Sequence, residues 1–309
     1  MRILFWGTPD FSLPAYHALA EEGHQVVGVV TQPDRPAGRG RGVAMSPVKQ
    51  AALADGVPVL QPERARGDEF LAQLRALEPE LSVVVAYGQI LRPEVLELPP
   101  RGSVNIHASL LPELRGAAPI QWAVMRGFDV TGVTIMRMEA GLDSGPMLFR
   151  VEEPIRPDES SAELAGRLSE IGAEALIETL ALMEDGTLAE VPQDHSLATY
   201  APKLDRETAR VDWSLPAREV ALRIRGLDDV PGAWTPQGER GQVKLFRPSV
   251  EEGRGAPGTV LDADPQAGIL VAAGEGAVRI REVQPSGKRR MTAEEWVRGR
   301  GISAGERLG

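Results

Sequence analysis

The sequence predicts an α/β protein in two parts: a Rossmann-like, mostly parallel sheet domain followed by a small β-barrel domain. Apolar runs and amphipathic segments alternate from Arg2 to Ala86 at the rhythm of βαβ units. From Ala209 onward the pattern changes to short β-like runs separated by Gly, Pro and Asp. At 309 residues the chain also exceeds what one core usually serves. The expected division is 1–189 for the sheet domain, 190–207 for a linker and 208–309 for the barrel.

Arg2 to Trp6 reads as a fully buried strand, and Phe11 to Glu22 as a helix opened by Asp10 or Ser12 as a cap. Gln25 to Thr31 is the next strand, which completes a right-handed βαβ unit. The turn GTPDF, Gly7 to Phe11, lacks the G-x-G-x-x-G spacing of a dinucleotide site. Thr31 to Pro47 is long for an α/β connection. It holds Gly38, Gly40 and Gly42, prolines at 33, 36 and 47, and Arg35, Arg39 and Arg41 against one acid, Asp34. Such a segment is either a solvated surface insertion or a loop whose guanidinium groups meet phosphate.

The rhythm resumes with a helix over Ser46 to Asp55, a strand over Val57 to Leu60, a helix over Gly67 to Leu77 and an apolar strand over Leu81 to Ala86. Tyr87 to Leu91 then leaves a carboxyl strand end, where open α/β sheets bind ligands. Met147 to Ile155 is a further strand, and apolar residues at the helical period make Ser160 to Asp185 a long amphipathic helix. Gly186 to Glu207 reads as a surface linker with a solvated His195. Beyond it come a helix over Leu215 to Gly226, short strands at Val243 to Phe246, Gly258 to Leu261, Ile269 to Ala272 and Ala277 to Val283, and a terminal helix over Thr292 to Arg300.

Composition sets limits on function. The chain has no cysteine, so thiolate catalysis and Cys-ligated metals are excluded. His17, His24, His107 and His195 show no metal-ligand spacing, and no metal centre is expected. No apolar run approaches the ~18 residues of a membrane span, and the N-terminus has the pattern of a first strand, so a cytoplasmic protein without membrane attachment is expected. The net charge of −10 argues against a protein that coats nucleic acid. The charge is uneven, however: residues 208–309 carry 16 Lys and Arg against 14 Asp and Glu, and the first 207 residues carry 18 against 30. A local basic track of Arg35, Arg39 and Arg41, with Lys288, Arg289 and Arg290 beside Arg279, Arg281 and Arg298, leaves room for a folded RNA partner.

The chemistry concentrates between Ser103 and Met147. Val104 and Ile106 alternate with Asn105 and His107, so the amide and the imidazole share one strand face. The chain turns through Leu111-Pro112 and Arg115-Gly116 into a helix from Ala117 to Met125. A strand over Gly132 to Met138 then delivers the turn Gly141-Leu142-Asp143-Ser144-Gly145. An amide that donates to a developing oxyanion, an imidazole that moves a proton near neutrality and a carboxylate that orients it suit transfer between an amine and an acyl-like carbon.

The runs NIHASLLPELRGAAPIQWA and TGVTIMRMEAGLDSG, supported by GTPDF, TQPDRPAGRG, VVVAYGQIL, TYAPKL and VDWS, resemble the folate-dependent formyltransferases over nearly the whole chain. The resemblance implies a catalytic triad of Asn105, His107 and Asp143. It implies folate contacts at Ser109, Leu110, Leu111 and Pro112 and at Gln89, Ile90 and Leu91. It also implies a loop at 31–47 that meets the acceptor end of a tRNA, and an OB-like C-terminal barrel. The implied reaction moves the formyl group of 10-formyltetrahydrofolate, a consumed co-substrate, to the amino group of initiator methionyl-tRNA, with the protein expected to act as a monomer. Pro146 departs from the pattern, because the family usually has a polar residue there. Three other readings fit the residues: a formyltransferase acting on a small amine, a formyltetrahydrofolate hydrolase, and a non-catalytic RNA-binding protein.

Overall fold

The computed structural model describes residues 1–37 and 42–309. Their contacts divide into two compact units: residues 1–119, 130–154 and 165–201 form the first, and residues 120–129, 155–164 and 202–309 form the second.

The first unit begins with β1 (Arg2–Gly7), a 3₁₀ turn at Asp10–Ser12, α1 (Leu13–Glu21) and β2 (Gln25–Val30). Two three-residue strands, β3 (Arg35–Ala37) and β4 (Gly42–Ala44), pair antiparallel within the 31–47 segment. α2 (Pro47–Ala54), β5 (Val59–Leu60), α3 (Asp68–Ala76), β6 (Leu81–Val85), the short α4 (Pro93–Leu96) and β7 (Ser103–His107) follow. After α5 (Pro119–Met125), which from residue 120 onward is part of the second unit, come β8 (Val130–Arg137), β9 (Met147–Pro154) and α6 (Ser161–Glu184), whose first four residues also belong to the second unit.

Among the described residues the main sheet has seven strands in the order β5-β2-β1-β6-β7-β8-β9. It is parallel as far as β7 and antiparallel through β8 and β9. Ile3, Leu4, Phe5 and Trp6 of β1 are all buried, as a strand covered on both faces requires. The chain winds from β1 to β2 on one side and returns to β6 on the other. The crevice at this switch point lies at the carboxyl ends of β1 and β6. Thr8 Oγ1 and Gln32 Nε2 both donate to the Tyr87 carbonyl there, at 3.2 and 3.1 Å, tying three strand exits together. Ser12 stands at the N-cap of α1, but its hydroxyl donates to the Val85 carbonyl at 2.7 Å instead of capping the helix. A buried carbonyl at the end of β6 is the stronger demand on that hydroxyl.

The second unit contains α7 (Ala217–Gly226), β10 (Trp234–Pro236), β11 (Gln242–Glu251), β12 (Val260–Asp264), β13 (Gly268–Ala272), β14 (Ala277–Pro285), β15 (Met291–Thr292) and α8 (Ala293–Arg298). Its sheet is antiparallel, ordered β10-β11-β14-β13-β12 with β15 on β14. Val220 and Ile224 of α7 share a core with Leu245, Ile269, Ile280 and Trp296. Thr292 and Glu295 form a reciprocal capping box that starts α8. No closed barrel is found among the described residues, which corrects the expected closure. The last residues run beside the start of β12 instead: Thr259 and Arg307 form an isolated antiparallel bridge, Leu308 N donates to Gly258 O, and Gly309 N donates to Pro236 O.

Candidate active site

His107 closes β7, pairs with Thr134 of β8 and is 5% exposed. Its Nε2 lies 3.0 Å from the Leu114 carbonyl. A carbonyl only accepts, so in the neutral ring the proton sits on Nε2 and Nδ1 is the acceptor. Nδ1 is 3.8 Å from Asp143 Oδ2. The same oxygen accepts from Gly116 N–H at 2.8 Å. Asn105 lies two residues before His107 on β7 and is half-buried, and its side-chain amide makes no hydrogen bond among the described residues. An uncommitted amide two residues from the imidazole can donate to a substrate oxygen.

Local backbone explains how these groups meet. Asp143 has φ +48°, a left-handed conformation that tight turns accept at a cost. Gly116 has φ +121°, and a Cβ there would meet the Ala201 carbonyl at 2.7 Å, so only glycine brings this N–H to the carboxylate. The segment 114–118 is stitched to 199–201. Arg115 N donates to Thr199 O at 2.9 Å, Ala201 N to Arg115 O at 2.8 Å, and Leu114 N to Thr199 Oγ1 at 2.9 Å. Part of the expected surface linker therefore walls the site. His195 is exposed, as expected, yet its Nδ1 accepts from Arg115 Nη2 at 3.0 Å. Gln193 is buried under the Asp143 turn.

The residues expected to meet folate are differently placed. Ser109 and Leu111 are buried: Ser109 Oγ donates to Glu113 O at 2.6 Å, and Thr134 Oγ1 donates to Ser109 O and accepts from Leu111 N. Leu110 and Pro112 are half-buried. Gln89 spends its side chain on Ala65 N and Glu63 O, and Leu91 joins the core beside Trp6 and Tyr87. Ile90, by contrast, is 91% exposed. Tyr87 is buried with its hydroxyl unpartnered among the described residues, and burial pushes that hydroxyl up to about 12, so it stays neutral.

Of the expected basic residues, Arg35 is exposed, while Arg39 and Arg41 lie outside the described residues. In the second unit Arg290 pairs with Asp228 (2.7 Å) and Glu282 (2.6 Å) and stacks over Phe246, and Arg289 pairs with Glu295 at 2.6 Å. Lys288 is exposed, and its ammonium group has no partner among the described residues. Arg279 is held by Glu251 and Asp262. No group of three or more potential metal-ligating side chains occurs among the described residues, and no helix there is long and apolar enough to cross a membrane. The carbonyl of Pro146 accepts from Arg137 N at 2.9 Å.

Sequence reasoning passed over Arg115 as a bonded side chain, Gln193, Thr134 and the Leu114 carbonyl. Only the Arg115-Gly116 turn was visible, because hydrogen bonds to backbone carbonyls leave no residue pattern.

A mostly parallel sheet with an amide, an imidazole and a carboxylate at its edge is the frame of a group transferase. Residues 1–180 match the formyl transferase family and residues 203–301 the formyl transferase C-terminal domain, so the chain belongs to the formyl transferase family. It is 49% identical to methionyl-tRNA formyltransferase of Symbiobacterium thermophilum, over 100% of this chain and 95% of that protein. It is 46% identical to the enzyme of the same name from Solibacter usitatus, over 100% of this chain and 99% of that one. The crystal structure of HypX from Aquifex aeolicus in complex with tetrahydrofolic acid is similar in fold, with a TM-score of 0.69 at 23% identity. That likeness covers 96% of this chain, which spans about half (47%) of HypX.

Proposed function

We propose that this chain transfers the formyl group of 10-formyltetrahydrofolate to the amino group of initiator methionyl-tRNA. The observation that carries the mechanism is the division of labour on His107, with Nε2 committed to the Leu114 carbonyl and Nδ1 turned to Asp143 at 3.8 Å. Full-length relatives at 46–49% identity that bear the name of this reaction support the choice of substrates.

In the proposed sequence the neutral amine attacks the formyl carbon, and the carbonyl oxygen becomes an oxyanion that receives the Asn105 amide N–H. Such a donor is worth roughly 3 kcal/mol of barrier. His107 Nδ1 takes the proton that the new ammonium must lose, Asp143 stabilises the imidazolium, and the proton passes to folate N10 as the carbon–nitrogen bond breaks. Tetrahydrofolate and formyl-methionyl-tRNA leave.

We read Gln89, Ile90, Leu91 and Ser109 to Pro112 as the folate wall, contributing mainly backbone and the apolar Ile90 side chain. Arg35, Arg39, Arg41 and Lys288 are assigned to tRNA phosphates, whereas Arg289 and Arg290, expected to join them, are already matched with acids; residues 208–309 we read as an OB-like module. In this reading residues 1–189 carry the reacting groups, 190–207 connect while Gln193, Thr199 and Ala201 back the site, and the enzyme works as a cytoplasmic monomer.

The deciding experiment incubates the protein with 10-formyltetrahydrofolate and methionyl-tRNA and analyses the aminoacyl product. Formyl-methionine on the tRNA is expected. Free formate made without amine would instead mark a hydrolase, and turnover only with a small amine would move the acceptor to that class.

A further inference from the structure

Gln193 lies beneath the Asp143 turn, is 6% exposed, and has every hydrogen-bonding position of its amide filled. Its Nε2 donates to the carbonyls of Asp143 at 2.9 Å and Gly145 at 2.7 Å. Its Oε1 accepts from Nε and Nη2 of Arg115 at 3.1 and 2.6 Å. Arg115 is 4% exposed, and its remaining bond goes to His195 Nδ1. No carboxylate pairs with this guanidinium among the described residues. A buried cation held by neutral partners is expensive unless it is hydrogen-bonded, and two of the three Arg115 side-chain bonds go to Gln193, which holds the turn.

The two carbonyls that receive these N–H groups of Gln193 belong to the turn whose central residue has a left-handed backbone. Such a conformation persists only where its surroundings over-determine it. Asp143 is held from one side by Gly116 N–H at its carboxylate and from the other by Gln193 at its carbonyl. We infer that Gln193, clamped by Arg115, is a positioning residue that keeps the Asp143 carboxylate in reach of His107 Nδ1, an inference that rests on the formyl-transfer reading above.

Gln193→Glu separates this role from plain scaffolding. The substitution keeps the shape and gives Arg115 a carboxylate, so the buried cation is better compensated. It removes both N–H donors from the turn and sets an oxygen against two carbonyls. If Gln193 serves only to house Arg115, the variant is as stable and as active as the wild type. If it positions Asp143, kcat falls by about tenfold or more, because small displacements of catalytic groups are costly. The KM values for both substrates then stay within about twofold and Tm is retained, since Gln193 does not touch substrate in this reading.

The companion measurement is hydrogen exchange at the Gly116 amide, whose acceptor is Asp143 Oδ2. A released turn exposes that amide, and its exchange should accelerate by about tenfold or more. Wild-type kcat together with wild-type exchange in Gln193→Glu overturns the inference. If Gln193→Glu does not fold, Arg115→Lys, which keeps the charge but loses the two-pronged clamp, must show the same kcat loss and faster exchange, and the inference falls if it shows neither. Should the wild-type protein not formylate methionyl-tRNA at all, the functional reading fails, and exchange at Gly116 still decides whether Gln193 holds the turn.

Discussion

The candidate site of the first unit and the arginines of the second are held in opposite ways. At the candidate site, side chains are held by neutral backbone and amide partners: His107 by a carbonyl, Asp143 by an N–H, and Arg115 beneath them by Gln193. In the second unit, cations are mostly matched with acids: Arg290 with Asp228 and Glu282, Arg279 with Glu251 and Asp262, Arg298 with Glu294. Neutral partners fix a side chain without spending its charge on stability, so the charge stays available to a substrate. A matched cation has already found its counter-ion.

The comparison breaks most visibly if the first unit's polar groups can be removed at no cost. His107→Ala and Asn105→Ala are each expected to lower kcat by about a hundredfold or more while the circular dichroism spectrum and Tm hold. Near wild-type turnover in either variant would take that residue out of the mechanism. A subtler break acts through backbone. Gly116→Ala sets a methyl group 2.7 Å from the Ala201 carbonyl at φ +121° and so pushes the Asp143 partner out of line. About tenfold lower kcat is expected, with a stability loss of about 1–3 kcal/mol measured by denaturant unfolding.

These two experiments also mark how far the sequence could be read. Strands β1, β2, β6 and β7 were legible because fully buried runs and period-two alternation are local signals, and Asn105 and His107 came with them. Asp143 stood out as an acid between glycines, but its approach to His107 depends on Gly116 and on residue 193, far away in sequence. The segment 190–207 reads as a linker because its pattern is neither helical nor β-like, yet residues 193–201 line the candidate site. Its role is carried by isolated hydrogen bonds, which no periodicity encodes. The β3–β4 pairing was hidden by proline and glycine. In the second unit β11 to β14 were expected, whereas the short β10 and β15 were not, since two or three residues carry too little pattern. Charge in the 288–290 run was legible, and its pairing was not.

That run sharpens the comparison further. Arg290→Ala leaves Asp228, a nearly buried acid, without its partner, and a stability loss of about 2–3 kcal/mol is expected after allowing for the third of Arg290 that faces solvent. Lys288→Ala should leave Tm unchanged, raise KM for methionyl-tRNA a few-fold, and reduce the salt slope of tRNA binding by about one. If Arg290→Ala changed tRNA use with no loss of stability, the view that matched cations are spent would be wrong for this unit.

The smallest expected effect concerns the one acid of the 31–47 segment, where the first unit behaves like the second. Asp34 accepts from Lys49 Nζ at 2.5 Å and from Gln61 Nε2 at 2.8 Å. The Lys49 hydrogen bond, with that from Gln61 behind it, holds the Asp34 carboxyl below the usual carboxylate range. A depressed carboxyl stabilises the folded state above its unfolded value of about 3.9 and loses that contribution as pH falls through the lower folded value. At neutral pH the pair is therefore intact, and the acid beside Arg35 is neutralised. Lys49→Met should raise the Asp34 titration midpoint toward the ordinary range, read from its side-chain carboxyl carbon by NMR. With that charge uncovered next to Arg35, KM for methionyl-tRNA should rise about twofold at neutral pH, because an unmatched acid opposes phosphate approach. The KM for 10-formyltetrahydrofolate should stay as it is. An unchanged Asp34 midpoint would show that Gln61 alone holds the carboxylate. An equal rise in both KM values would place Lys49 in the support of the folate wall, and the segment would then belong with the chemistry instead of with the matched charges.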